Sequence, residues 1–209
     1  MSIFSRFTTN TDSFDPEATH LVLGTPLRGP WPEGTEVIAF GMGCFWGAEK
    51  KFWQLPGVVC TSVGYQGGRI ENPTYKSVCG GFTGHAEVTQ VAFNPSTVSL
   101  LELLRVFWEH HDPTQGDRQG NDIGTQYRSA VFCTTLAQKE LAIRTRYAYS
   151  SALAARGFSG VTTQIAMSDA ATGVNRYWLA EDYHQQYLVK NPNGYDCHSE
   201  TGIALPELV

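Results

Sequence analysis

The chain has 209 residues, 42% of them hydrophobic, and a formal net charge of −5. That length and composition suit one globular domain able to bury its own core, and exclude a chain that is disordered throughout. An acidic balance without a basic block argues against nucleic acid or an anionic membrane as partner, no apolar run approaches the roughly 20 residues that span a bilayer, and the N-terminus lacks the apolar core of a signal peptide.

Residues 1–34 show no hydrophobic period and carry Pro16, Pro26, Pro30 and Pro32. They are expected to form an irregular arm packed on a main domain over 35–190. The first regular element is a strand, "EVIAFG", whose apolar run from Val37 to Phe40 predicts burial on both faces. A helix follows from about Cys44 to Gln54. Phe45, Trp46, Glu49, Phe52 and Trp53 fall on one face of it, and Pro56-Gly57 stops it.

"VVCTSVGY" reads as the next strand, and a long glycine-rich loop runs from there to His85. Long loops in compact domains are often functional. "HAEVTQVAF" alternates as a strand, with Glu87, Thr89, Val91 and Phe93 on one face. Ser99 and Glu102 have capping-box spacing ahead of a second helical stripe, Leu100 to Trp108. A polar loop, "HHDPTQGDRQGNDIGTQYRS", leads to the strand "SAVFCTT". Thr135 with Gln138 predicts another capping box and a helix to about Arg156, ended by Gly157. "VTTQIAM" is a strand, "NRYWLAEDYHQQYLVKN" is mixed and partly helical, and 191–209 is a mobile coil tail.

The predicted order is therefore β-α-β-β-α-β-α-β. Single helices between strands, with one direct β-β connection, predict an α+β two-layer sandwich on a mixed or antiparallel sheet.

There are five cysteines, Cys44, Cys60, Cys79, Cys133 and Cys197, at long spacings and without a C-x-x-C pair. A structural zinc site is not expected, and no cofactor is implied. Such cysteines fit the reducing cytoplasm, as buried or reactive thiols. Cys44 has the clearest chemical placement. A free thiol is only about 3% thiolate at pH 7, and a helix start favours the anion. Phe45 and Trp46 beside it are either core or the wall of an apolar pocket. Glu87 lies where its strand face begins to be enclosed, and burial would let it hold a proton near neutrality. Tyr75, Asp122 and Tyr127 lie in the two polar loops. Taken singly, each reads as surface.

Five motifs, "GCFWG" (43–47), "NPTY" (72–75), "GHAEV" (84–88), "NDIGTQYRS" (121–129) and "EDYHQQYL" (181–188), together resemble the peptide methionine sulfoxide reductases of the A type. The resemblance covers about residues 36–195. It implies a split β-α-β, ferredoxin-like sandwich and a thiol-dependent reduction of methionine S-sulfoxide, free or in proteins, as a repair of oxidative damage. Carried over by motif, Cys44 is the nucleophile and Glu87 the acid that protonates the sulfoxide oxygen. Tyr75 and Tyr127 hydrogen-bond that oxygen, with Asp122 beside them, and Phe45 and Trp46 receive the substrate methyl group. The implied product is a sulfenic acid on Cys44.

The implied cycle then needs a second thiol. Cys60 and Cys133 fall within predicted strands, and the role of Cys79 is open. Cys197, in the tail, is the expected resolving cysteine, giving a Cys44–Cys197 disulfide reduced by thioredoxin, the family's usual partner. Many relatives carry another tail cysteine near the position of Ala204, and this chain has none. Two other readings use the same thiol: a cysteine hydrolase or acyltransferase pairing Cys44 with His85 or His184, and a redox sensor without turnover.

Overall fold

The computed structural model describes residue 15, residues 17–196 and residues 199–208. Strand β1 (Glu36–Met42), helix α1 (Phe45–Trp53) and strand β2 (Val58–Gln66) come first. Strand β3 (Ala86–Phe93) pairs antiparallel with both β1 and β2 and lies between them. This is the split β-α-β unit. Strand β6 (Ser129–Cys133) pairs antiparallel on the far side of β1, and β7 (Gln164–Met167) joins β6 in parallel. Strand β8 (Trp178–Leu179) closes the other edge, giving the order β7-β6-β1-β3-β2-β8. The mixed sheet and α+β class expected from the element order are therefore present.

Alternation along the strands decides what each face meets. Ile38 and Phe40 of β1, Val91 and Phe93 of β3, and Val131 and Cys133 of β6 point into the main core. That core is completed by Phe52 of α1, by Leu103, Leu104, Phe107 and Trp108 of α3 (Leu100–Glu109), and by Ala142, Tyr149 and Leu153 of α4 (Leu136–Ala154). Phe40 stacks on Phe52 at 4.9 Å and on Phe107 at 5.4 Å, so three aromatic rings join the sheet to two helices. Each such ring contributes about 1.5–3 kcal/mol through burial, and each pair somewhat more. Ala39 faces the opposite side, with Val88, Ala130 and Phe132. Leu27 of the N-terminal arm packs there against Cys60 and Ala92. The run Val37–Phe40 thus feeds both faces.

The cap of α3 forms as its spacing predicts, with Ser99 and Glu102 each satisfying the other's N–H. The cap of α4 forms by half. Thr135 accepts from the Gln138 N–H, but Gln138 Oε1 accepts from the N–H of Thr134 instead of Thr135. Its amide then donates to Glu36 Oε2 and the Val37 carbonyl, fastening α4 to the start of β1.

The two long loops contain short elements that hydrophobic period does not reveal. Helix α2 (Tyr75–Cys79) starts on a capping box of Thr74 and Ser77, a serine where the usual signature has Glu or Gln. The second loop holds a two-strand hairpin, β4 (Arg118–Gln119) and β5 (Asp122–Ile123), then a 3-10 turn, Thr125–Tyr127. The mixed segment holds β8, a 3-10 turn over Asp182–His184, and helix α5 (Tyr187–Lys190). Among the described residues no helix is long and apolar enough to cross a membrane.

Residues 199–208 form no helix or strand, as expected, yet they are tied down. Leu205 is 2% exposed and belongs to the main core. Its N–H donates to Glu109 Oε1, its carbonyl accepts from Arg105, and Tyr149 donates to the carbonyl of Ile203. A single leucine has no period, so the tail's anchor is silent in the sequence. We expect Leu205→Ala to lower the unfolding free energy by about 2–5 kcal/mol, as for other buried leucines. Urea denaturation reads this directly. A change below about 0.5 kcal/mol, the range of surface substitutions, would mean that the tail is not seated.

Candidate active site

Strand β1 ends at Met42 and the chain turns through Gly43, which has φ +90°. A Cβ there would also lie 2.6 Å from the Gln119 side chain, so glycine is required on two counts. The turn places Cys44 at the N-cap of α1. The first N–H groups of a helix have no partner within it and favour negative charge or an acceptor. Here the N–H of Phe45 donates to Glu87 Oε2 at 3.2 Å. Glu87 comes from β3, the central strand, on the same face as Val91 and Phe93.

Glu87 is 2% exposed. Burial pushes its carboxyl from the ordinary 4.5 up to about 8, with the negative charge of Asp122 adding to the rise and the Phe45 N–H opposing it. At neutral pH the acid form therefore dominates, beside a thiol.

A cavity of about 130 Å³ opens at this point. One water needs roughly 10–15 Å³ of such space and a drug-sized ligand several hundred, so the cavity suits the end of a side chain. Cys44, Phe45, Trp46 and Glu87 line one part of it, and Tyr75, Asp122 and Tyr127 the rest. These are all the candidate residues except Cys197, which lies outside the described residues. The eighth lining residue is Tyr195.

Each wall has a local cause. Tyr75 is the first residue of α2, and its N–H donates to Glu181 Oε1 at 2.8 Å. Asp122 sits on β5, and Tyr127 ends the following 3-10 turn. Burial raises both phenols above the ordinary tyrosine value, the neighbouring Cys79 adding to the rise at Tyr75 and the carboxylates of Glu87 and Asp122 at Tyr127. Both remain hydrogen-bond donors at any physiological pH. Asp122 Oδ1 accepts from the Tyr195 phenol at 3.2 Å, while Oδ2 is buried with no hydrogen bond. Trp46 stacks on Tyr187 at 3.8 Å, and its indole N–H donates to His184 Nδ1 at 3.0 Å. Phe45 is both wall and core, packed with Val63, Tyr65, Val78 and Ala180.

The other thiols are unlike Cys44. Cys60 and Cys133 are buried in the sheet, and burial pushes them up to about 11 and about 12. Cys79 is exposed, one helical turn from Tyr75 on α2. Neither histidine of the hydrolase reading lines the cavity. His85 has both ring nitrogens engaged, by the Gly68 N–H and the Ile70 carbonyl, and His184 has its Nδ1 engaged by Trp46. The arrangement is a thiol, an un-ionised acid and two phenols around a small space with an aromatic wall. It fits a compact polar group that gains negative charge on oxygen and has an apolar neighbour.

Sequence reasoning missed Tyr195 and the fastening role of residues 181–187. The signal for Tyr195 was slight, an aromatic two residues before Cys197. The signal for the second was Glu49, an acid in the apolar stripe of α1. It is fully buried and accepts from Thr61 and from the N–H and side chain of Gln186.

The family model described as peptide methionine sulfoxide reductase matches residues 36–207. A peptide methionine sulfoxide reductase MsrA of Brucella anthropi is 57% identical over 188 residues, 90% of this chain and 84% of that protein. Among solved structures, methionine sulfoxide reductase A of Corynebacterium diphtheriae superposes with a TM-score of 0.80 at 46% identity, covering 97% of this chain and 100% of that one. Reduced Mxr1 from Saccharomyces cerevisiae gives a TM-score of 0.70 at 35% identity, over 81% and 94% of the two chains.

The buried acid has a thermodynamic signature. Glu87 takes up a proton on folding between pH 4.5 and about 8. Its contribution to stability is therefore complete below the unfolded value and lost as pH rises through the folded one. Relative to Glu87→Gln, wild type should lose on the order of a few kcal/mol between pH 5 and 9. Parallel stability curves for the two proteins across that range would place an ionised Glu87 in the folded state.

Proposed function

The chain belongs to the peptide methionine sulfoxide reductase family, and we propose that the cavity beside Cys44 is where it reduces methionine S-sulfoxide, free or in proteins. The observation that carries this reading is the Phe45 N–H to Glu87 hydrogen bond. It sets an un-ionised acid next to the N-cap thiol, in a cavity shared with two phenols.

Cys44 sulfur attacks the sulfoxide sulfur while Glu87 gives its proton to the oxygen. Tyr75 and Tyr127 donate to that oxygen as its negative charge grows, and such donors act most strongly where water is excluded. Phe45 and Trp46 take the methyl group. The sulfur–oxygen bond of the substrate breaks, methionine leaves, and the oxygen remains on Cys44 as a sulfenic acid. Two electrons pass from the Cys44 sulfur to the substrate sulfur, and the cysteine proton returns Glu87 to its acid form.

The Cys197 thiol then displaces water from the sulfenic acid to form a Cys44–Cys197 disulfide, which a dithiol protein, thioredoxin, reduces. What supports Cys197 is its neighbourhood in the chain. Tyr195 lines the cavity, and two residues of chain span at most about 7 Å. In this reading residues 35–190 are the catalytic domain, 1–34 an arm packed on it, and 191–209 the tail that carries the resolving thiol. The free thiols of Cys60, Cys79 and Cys133 accord with the cytoplasm as the place of work.

Cys44→Ser should abolish reduction of methionine S-sulfoxide in the presence of dithiothreitol, and turnover above background would refute the assignment. Glu87→Gln should slow the single-turnover step by about 10²-fold and remove its fall above pH 8. Cys197→Ser should release one equivalent of methionine and then stall, with a dimedone-reactive sulfenic acid on Cys44. Normal thioredoxin-driven turnover by that variant would move the resolving role to another cysteine.

A further inference from the structure

His184 is 1% exposed and lines no part of the cavity, yet it touches three of the residues that do. Its Nδ1 accepts the indole N–H of Trp46 at 3.0 Å. Its ring lies 5.1 Å from the ring of Phe45 and 4.5 Å from that of Tyr75. We propose that His184 is a positioning residue, which fixes the Trp46 indole and thereby sets the size of the slot that takes the substrate's alkyl group. This inference rests on the reductase reading of the cavity.

The argument begins with Trp46, a partly exposed indole at the second position of α1. A side chain there has several rotamers open to it. Two contacts select one, the stack on Tyr187 at 3.8 Å with planes 13° apart, and the hydrogen bond to His184. Stacking alone lets the indole slide in its own plane. The hydrogen bond fixes that remaining freedom, because the N–H must point at a nitrogen lone pair.

An acceptor at Nδ1 requires the neutral ring with its proton on Nε2. Burial holds the imidazole in that neutral form, lowering its pKa to about 4, with the nearby charge of Glu181 opposing. Nε2 is itself buried with no hydrogen bond. An unpartnered buried N–H is unfavourable, and a phenylalanine at 184 would avoid it. What histidine supplies in return is the acceptor.

The backbone around His184 is held independently of the indole. Gln185 Oε1 accepts from the Val63 N–H, and its amide donates to the carbonyls of Val63 and Ala180. The N–H of Gln186 donates to the buried Glu49. The ring is therefore presented from a fixed frame, so the wall built on it has a fixed position. An apolar slot of fixed size discriminates by about 10–200-fold for one methylene.

The test compares methionine S-sulfoxide with ethionine S-sulfoxide, one methylene larger, in wild type, His184→Phe and His184→Asn. Phenylalanine keeps a ring without an acceptor, and asparagine restores an acceptor near the Nδ1 position. We expect His184→Phe to raise KM for methionine sulfoxide more than it lowers kcat. The methyl-to-ethyl ratio of kcat/KM should fall by about tenfold, and His184→Asn should recover most of it. An unchanged ratio in folded His184→Phe overturns the inference while leaving the reductase reading intact. Wild type inactive on both sulfoxides overturns the reductase reading, and this one with it. Should neither variant fold, nitrogen NMR of wild type at pH 7 decides. A neutral His184 with its proton on Nε2 is expected, and a proton on Nδ1 overturns the inference.

Discussion

The hydrogen bond from the Phe45 N–H to Glu87 joins the three things the chemistry needs in one place. It belongs to the start of a helix, it engages the acid, and it lies one residue from the thiol. A carboxyl group taken out of water at this point is unfavourable unless it is neutral or well bonded. The fold meets that condition by strand pairing. Glu87 sits on β3, held between β1 and β2, with Tyr65 opposite it in the register and Val91 and Phe93 further along the same face. Pairing of β3 on both sides fixes the backbone that carries the acid.

Burial also settles a conflict at the end of α1. The helix start draws negative charge toward it, and both Cys44 and Glu87 are close enough to respond. The desolvation of Glu87 outweighs the pull of the Phe45 N–H, so the acid stays neutral around pH 7 and adds no negative charge beside the thiol. Asp122 strengthens the effect, since a second carboxylate nearby makes ionisation of Glu87 harder still. A helix end, a dry pocket and one neighbouring charge thus separate the roles of groups that would otherwise compete for the same field.

What was legible in the sequence follows from how local each feature is. Strands β1, β2, β3 and β6 and helices α1 and α3 have apolar runs or stripes, α4 has its cap, and their order implied an α+β sandwich on a mixed or antiparallel sheet, whose split β-α-β form came with the family resemblance. Cys44 and Glu87 were legible because a strand-to-helix junction and an alternating strand place them without distant partners. Helix α2 was hidden because its box uses Ser77, and five residues carry no period. Tyr195 was hidden for a different reason. Its hydrogen-bond partner, Asp122, lies 73 residues away, and no pattern around it announces that contact. Gln186 was the least legible, for its contact with Glu49 spans 137 residues and is made with a backbone φ of +47°. No local propensity favours that conformation in glutamine; the two hydrogen bonds that Gln186 gives to the buried Glu49 side chain impose it.

The same buried contacts divide the site into parts of different firmness. Residues 184–187 are fastened through buried groups. Gln185 is bonded to β2, Gln186 to Glu49 of α1, and Tyr187 stacked on Trp46. Breaking either hydrogen bond would strand a polar group in the interior. Further along, Tyr195 meets Asp122 at 3.2 Å and Lys50 meets Asp196 at 3.8 Å, both at exposed side chains. An exposed ion pair of that kind is worth about 1 kcal/mol or less, because water replaces it readily. A cycle that first receives a substrate and then brings a second thiol to the same sulfur needs this contrast. On the proposed cycle, the wall keeps its shape while the chain beside Cys197 exchanges its contacts. Tyr187, stacked on Trp46, and Leu205, seated in the main core, flank that part of the chain and are held by contacts of their own.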